Sequence, residues 1–131
     1  MATIKSFEEI KSWQKAKDIC KLLGQLIDEG RFKNNYRLVA QIEGSSGSIM
    51  DNIAEGFERG SRAEFILFLG YAKGSCGELR SQIIRALDRK YITEIEFENI
   101  KTEILNISGL LQNMISYLQK STVAGLRKKI N

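Results

Sequence analysis

Residues 61–90 read SRAEFILFLGYAKGSCGELRSQIIRALDRK, and this stretch decides the fold. Ser61 and Glu64 have the spacing of a capping box, in which a hydroxyl and a carboxylate satisfy free amides at a helix start. Apolar residues then recur at alternating intervals of three and four: Phe65, Leu69, Ala72, Cys76, Leu79, Ile83 and Ala86. This spacing keeps one stripe of a helix against a neighbour, and it predicts an amphipathic helix near 62–89.

The same signals predict three more helices. Further capping boxes stand at Ser6/Glu9 and Thr93/Glu96, and a fourth helix start lies at Asn34–Asn35, which are also good cap residues. The resulting helices lie near 7–28, 36–57 and 94–119. Their predicted core seams are Trp13, Ala16, Cys20, Leu23 and Ile27; Val39, Ile42, Ser46, Ile49 and Ile53; and Ile100, Ile104, Ile107, Leu111, Met114 and Leu118. Short connections favour an all-α, antiparallel up-down-up-down four-helix bundle over 1–120, followed by a basic flexible tail at 121–131.

The composition argues against an enzyme. The 131 residues include no histidine, which is the commonest general base and a frequent metal ligand. The absence of proline permits long, uninterrupted helices. We therefore expect no catalytic residues and no cofactor, and we interpret Cys20 and Cys76 as small apolar residues.

One carboxylate cluster raises the possibility of a metal site. Asp51 and Glu55 share a helix face and Glu58 follows closely, as a magnesium or calcium site would require. An ordinary helix surface, with pairing to Arg59 or Arg62, is the favoured alternative.

The first residues, MATIKSFEEI, lack the apolar run of a signal peptide, and no window is apolar over the length of a membrane span. We expect a cytoplasmic protein.

Small residues form a second row on two of the predicted helices. The rows are Gly70, Gly74, Gly77 and Ser81, and Ala40, Gly44, Gly47, Asp51 and Ala54. Each lies about 150° around its helix from the core seam. A glycine within a helix costs about 1 kcal/mol relative to alanine, so repeated glycines need a reason. We predict a homo-oligomer interface at these rows; close packing inside the monomer is the alternative.

Basic residues form a further candidate site. Net charge is +4, and the excess lies in the second half of the chain. Arg62, Lys73 and Arg80 fall within about 20° of one line along their helix, as a row of phosphate contacts would. A solvated helix surface explains this basic ridge about equally well. Residues Arg127, Lys128 and Lys129 of the tail could act as an electrostatic arm or as a solubilising end.

The chain resembles the 23S rRNA-intervening sequence protein family. Residues 48–57, SIMDNIAEGF, match a Ser-Ile-x-x-Asn-Ile-Ala-Glu-Gly block, and similarity extends through 59–61 and 65–79. Residues 7–16 resemble the opening segment of that family. The resemblance implies a bacterial four-helix bundle that assembles into a ring, a pentamer. Some relatives are encoded inside ribosomal RNA insertions, and a related retroelement accessory protein binds nucleic acid and a reverse transcriptase.

One departure from the family bears on function. Relatives often carry a basic pair where residues 41–44 here read QIEG. Two functions stay open: a non-enzymatic, ring-forming RNA or DNA binder, and a protein–protein adaptor for a partner encoded nearby.

Overall fold

The computed structural model describes residues 3–121, and these residues form four α-helices and no strand. The helices are α1 (Lys11–Asp28), α2 (Tyr36–Arg59), α3 (Arg62–Asp88) and α4 (Glu94–Lys120), preceded by one turn of 3₁₀-helix at Phe7–Glu9. The prediction of an all-helical, four-helix chain is confirmed. The tail from 122 onward, including Arg127, Lys128 and Lys129, lies outside the described residues.

Side-chain caps begin three of the four helices. The side chains of Asn35, Ser61 and Thr93 accept hydrogen bonds from the backbone N–H groups of Leu38, Glu64 and Glu96 respectively. These caps satisfy amides that have no partner inside the helix.

The first helix begins later than the sequence suggests. The carboxylate of Glu9 accepts from the backbone N–H of Ser6, so this capping box belongs to the 3₁₀ turn. The chain is extended at Ile10, whose side chain is buried, and α1 starts only at Lys11. Burial of Ile10 against the core accounts for the break, because a continuous helix would direct this side chain differently.

Gly60 separates α2 from α3. Its φ of +94° lies in the left-handed region, where glycine carries no steric cost. The turn is therefore short, and α3 begins two residues later at Arg62.

Each helix packs against two others. The α2–α3 contact is the most extensive, and α3–α4, α1–α2 and α1–α4 complete a four-helix bundle. All seven residues of the predicted α3 seam are buried, as are Ile42, Ile49 and Ile53 of α2 and Ile100, Ile104, Ile107, Leu111 and Leu118 of α4.

The predicted seam of α1 was wrong in its rotation. Ser12, Ala16, Ile19, Leu23 and Leu26 are buried, whereas Trp13, Cys20 and Ile27 are only partly buried. Apolar residues cover a wide stripe of this helix, so the 3-4 spacing fits two adjacent rows. The buried rows of α2 and α4 are shifted in the same way at one position each. Leu38 is buried where Val39 was predicted, and Ile115 is buried where Met114 was predicted.

A polar layer joins α2 to α3. The hydroxyl of Ser45 donates to Oε1 of Gln82 at 2.6 Å, and that of Ser75 donates to Oγ of Ser48 at 3.0 Å. Asn52 donates from Nδ2 to the same Ser48 hydroxyl at 2.9 Å. Small side chains allow the two helices to approach closely, and these hydrogen bonds satisfy the polar groups buried between them.

Among the described helices, none combines the length and apolar character that crossing a bilayer requires.

Candidate interaction surfaces

The side of α3 that faces away from the core carries a second heptad-like row. This outer seam of α3 comprises Leu67, Gly70, Gly74, Gly77, Ser81 and Ile84, all of them exposed. Leu67 is 49% exposed and Ile84 is 43% exposed, which is high for large apolar side chains. The glycines of this seam were predicted from the sequence, whereas Leu67 and Ile84 were not, although the same alternation of three and four contains them.

Close packing within the chain does not explain the glycines of either row. Within residues 3–121, a Cβ atom added at Gly44, Gly47, Gly70, Gly74 or Gly77 would meet no packing neighbour within 4 Å. At Gly56, by contrast, the added Cβ would lie 2.6 Å from the Cβ of Phe68. Only Gly56 of these six is therefore required by packing inside the chain.

The two small-residue rows border different grooves of the bundle. Gly44 and Asp51 of α2 are exposed, and Gly47 lines a groove between α1 and α2 together with Gly24. Gly77 of α3 instead lines the groove between α3 and α4. The two rows of small residues thus lie at two different places on the surface of the bundle.

The predicted basic ridge follows the α3–α4 groove. Lys73 and Arg80 line this groove, and Lys73 donates to Oε1 of Gln112 on α4 at 2.9 Å. At the end of α4, the guanidinium of Arg62 donates to the carbonyl of Ser121. Within residues 3–121, none of the three cations pairs with a carboxylate, since every ion pair there involves other residues.

Of the three clustered carboxylates near the α2–α3 turn, Glu55 makes the ion pair with Arg59 that the favoured alternative predicted, whereas Asp51 and Glu58 form none within residues 3–121. Arg59 contacts Glu55 at 2.7 Å and Glu64 at 3.4 Å, and its guanidinium lies over the ring of Phe68. No group of three or more potential metal-ligating side chains is found in residues 3–121. These contacts fix the turn that follows the Asn-Ile-Ala-Glu-Gly block.

The two cysteines lack the features of reactive thiols. Burial raises the pKa of Cys76 to about 11, so the thiolate is disfavoured. Burial also raises the pKa of Cys20, against an opposing hydrogen bond with Ser46. Cys20 is only partly buried, which corrects its predicted place on the core seam.

Helix count, helix contacts and the small-residue outer rows define an all-helical, four-helix-bundle protein. Residues 8–113 match the sequence model of the 23S rRNA-intervening sequence proteins, and the chain belongs to this family. No curated protein matches it.

A solved structure supports this assignment. It is a protein of unknown function from the S23 ribosomal protein family of Bacteroides thetaiotaomicron. It aligns with a TM-score of 0.71 and 26% sequence identity, covering 79% of this chain and 97% of the other.

Proposed function

We propose that this protein is a non-enzymatic, homo-oligomeric ring that binds nucleic-acid phosphates, RNA foremost, through its basic ridge. The observation that carries the proposal is the row of Arg62, Lys73 and Arg80, which no carboxylate of residues 3–121 neutralises. Unneutralised cations in a row attract a phosphate backbone and release its counterions. A ring would repeat this row once per subunit, which multiplies a modest charge.

The proposed bundle is antiparallel, with helices running up, down, up and down. Contacts between α2 and α3 support this order: Gln41 meets Arg85, Ser45 meets Gln82 and Ser48 meets Ser75. Residue numbers rise along one helix as they fall along the other. Arg62 with Ser121, and Lys73 with Gln112, give the same pattern for α3 and α4.

The proposed subunit interface uses the glycine rows of α2 and α3. Open space at these glycines supports the idea, because small residues let another helix approach closely. The two rows border different grooves, which suits a contact between unlike surfaces, and such contacts close into rings. The family resemblance favours a pentamer.

The assembly is tested by Gly74→Leu, with Gly109→Leu as the matched control. Both glycines lie within helices and both have open space around an added Cβ. We expect Gly74→Leu to shift the mass measured by light scattering towards the monomer, while Gly109→Leu leaves it unchanged. A wild-type monomer at micromolar concentration would refute the oligomer. An intact oligomer in Gly74→Leu would refute only its proposed location.

Nucleic-acid binding is tested by the double variant Arg62→Glu/Arg80→Glu. The control is Lys11→Glu/Lys21→Glu, which changes net charge equally at two exposed positions of α1. We expect the first variant to weaken binding to both RNA and DNA and to reduce the slope of log affinity against log salt. Each lost phosphate contact should lower that slope by about 0.7 to 0.9. Equal losses in both variants would show that only net charge matters.

A protein–protein adaptor is the second candidate function. Ile95 is 76% exposed and Leu105 is 43% exposed, both on α4 and outside the proposed glycine rows. In this second proposal, the two exposed side chains make apolar contacts with the protein partner. If the purified protein binds neither structured RNA, single strands nor duplex DNA at low salt, the adaptor becomes the better proposal. Ile95→Lys should then abolish binding to a partner encoded nearby.

A further inference from the structure

A recess of about 330 Å³ opens between the beginning of α2 and the end of α3. It lies on the α2 side of α3, away from the α3–α4 groove and its basic ridge. Its lining residues are Asn35, Arg37, Leu38, Gln41, Arg85, Asp88 and Arg89.

Three arginines and one aspartate give this recess a positive charge. Within residues 3–121, Arg37, Arg85 and Arg89 make no ion pair, even with Asp88 beside them. Their contacts are with neutral groups: Arg85 donates to Oε1 of Gln41, and Arg89 lies 5.5 Å from the ring centroid of Tyr91. These contacts hold two of the guanidinium groups in place and leave their charges uncompensated.

Helix ends explain only part of the cluster. Arg85 and Arg89 lie at the C-terminal end of α3, where the helix dipole favours cations. Arg37 lies in the first turn of α2, where the same dipole disfavours a cation. Its backbone N–H also has no hydrogen-bond partner among the described residues, while the neighbouring N–H of Leu38 is capped by Asn35. An anion in the recess would compensate both the side chain and the helix end.

We propose that this recess is a phosphate-binding site. Arginine matches phosphate best among the cationic side chains, because its planar guanidinium donates two parallel hydrogen bonds. The volume is at the lower end of the range for small-molecule sites, so it suits a phosphomonoester of about mononucleotide size. The phosphate could belong to a small phosphorylated molecule or to the end of a nucleic-acid strand. The site is separate from the basic ridge and does not rest on the proposed function.

The first experiment follows backbone and arginine NMR signals during titration with inorganic phosphate at low salt. We expect saturable shifts at Arg37, Arg85 and Arg89. Arg85→Gln/Arg89→Gln should weaken the apparent affinity by at least about tenfold, since two charge-assisted contacts are lost. Arg62→Gln/Arg80→Gln removes the same charge from the opposite side of α3 and should leave phosphate affinity unchanged.

The same variants separate this proposal from nucleic-acid binding by the ridge. The proposal that the recess binds phosphate would be wrong if no saturable shifts appeared at about 10 mM phosphate. It would also be wrong if both double variants lost phosphate affinity equally. Unchanged circular dichroism shows that each variant is folded. Loss of RNA binding in the ridge variant has no bearing on the recess, and the reverse also holds.

Two further pairs of probes identify the source of the phosphate. AMP is compared with adenosine, and a 5′-phosphorylated oligonucleotide is compared with its 5′-hydroxyl form. Preference for AMP alone supports a small-molecule site, and preference for the phosphorylated strand supports a strand-end site. If neither phosphorylated probe binds better than its unphosphorylated partner, the proposal is wrong.

Discussion

The inner seam of α3, which is its predicted core seam, and the outer seam have the same spacing, but the inner seam is buried and the outer seam is exposed. Inner residues such as Leu69, Leu79 and Ile83 are 0% exposed, whereas Leu67 and Ile84 of the outer seam are largely exposed. The inner seam consists mostly of large side chains in contact with α2 and α4. The outer seam has glycine at three of its six positions, with open space around each.

This difference shows that one spacing can serve two purposes. Large side chains at 3-4 intervals remove apolar surface from water and stabilise the fold. Glycines at the same intervals contribute no burial and lower helix stability by about 1 kcal/mol each. The outer seam is thus not explained by the stability of the monomer, which is why we propose that it serves assembly.

The sharpest test of the comparison is truncation of a leucine on each seam. Leu79→Ala should lower the free energy of unfolding by about 2 to 5 kcal/mol, because it leaves a cavity in the core. Leu67→Ala, on the outer seam, should change the stability of the monomer by about 0.5 kcal/mol or less. Urea denaturation of dilute protein measures both. Equal effects would contradict the distinction between the seams.

A glycine inside the bundle should behave differently from those outside it. An alanine Cβ at Gly56 would lie 2.6 Å from the Cβ of Phe68 and 3.2 Å from its other neighbour, Phe65. Because a Cβ cannot move without its backbone, α2 and α3 must separate slightly. We expect Gly56→Ala to cost about 1 to 3 kcal/mol in urea denaturation. If Gly56→Ala stabilised the protein instead, α2 and α3 would be able to separate around the added Cβ without loss of packing energy.

The ion pair between Arg31 and Glu96 makes part of the stability depend on pH, whereas the contribution of the apolar inner seam does not. Arg31 donates two hydrogen bonds of 2.9 and 2.5 Å to the Glu96 carboxylate. Together with a hydrogen bond from the backbone N–H of Thr93, they lower the pKa of Glu96 to about 2. A lowered folded-state pKa gives stability above the ordinary value of 4.5 that is lost as pH falls towards 2.

Removing this charge should therefore matter only at higher pH. The Glu96 side chain is 32% exposed, so solvent screening reduces the contribution of its ion pair to stability. Glu96→Gln should therefore lower the free energy of unfolding by about 1 to 2 kcal/mol at pH 7. The difference from wild type should vanish near pH 2. Glu98→Gln is the control, because Glu98 is 61% exposed and its one ion pair within residues 3–121 is the 3.9 Å contact with Lys101. A constant difference across the pH range would exclude the ion pair as its cause.

The smallest expected effect has the opposite sign. Gly74→Ala should stabilise the monomer by about 1 kcal/mol or less, because alanine has the higher helix propensity and its Cβ meets nothing. Thermal and urea unfolding of dilute protein would detect this gain. If Gly74→Ala instead lowered the stability, the outer seam would already be in contact with other residues in the dilute protein.

The sequence predicted the elements better than it predicted their rotation. Its capping residues located the starts of α2, α3 and α4, and the inner seam of α3 was right at every position. It erred in α1, where Ile19 and Leu26 take the core places expected for Cys20 and Ile27. Both rows are apolar, and the spacing alone does not choose between adjacent rows of a wide stripe.

Parts of the candidate sites were also visible in the sequence. Arg62, Lys73 and Arg80 lie on one helix, so their alignment follows from helical geometry alone. The arginine recess was missed because Arg37 comes from α2 and joins Arg85 and Arg89 only when α2 packs on α3. No local spacing carries that information.

The sequence by itself determined four helices, the caps of three of them and one correct core seam, because capping and periodicity are local properties of the chain. Only the tertiary structure decided which side of α1 faces inward and that the outer glycines have no close packing neighbour among residues 3–121. It also brought three arginines into one recess. The physical reason is that burial and charge clustering depend on neighbours distant in the chain, whose positions are fixed only when the helices pack together.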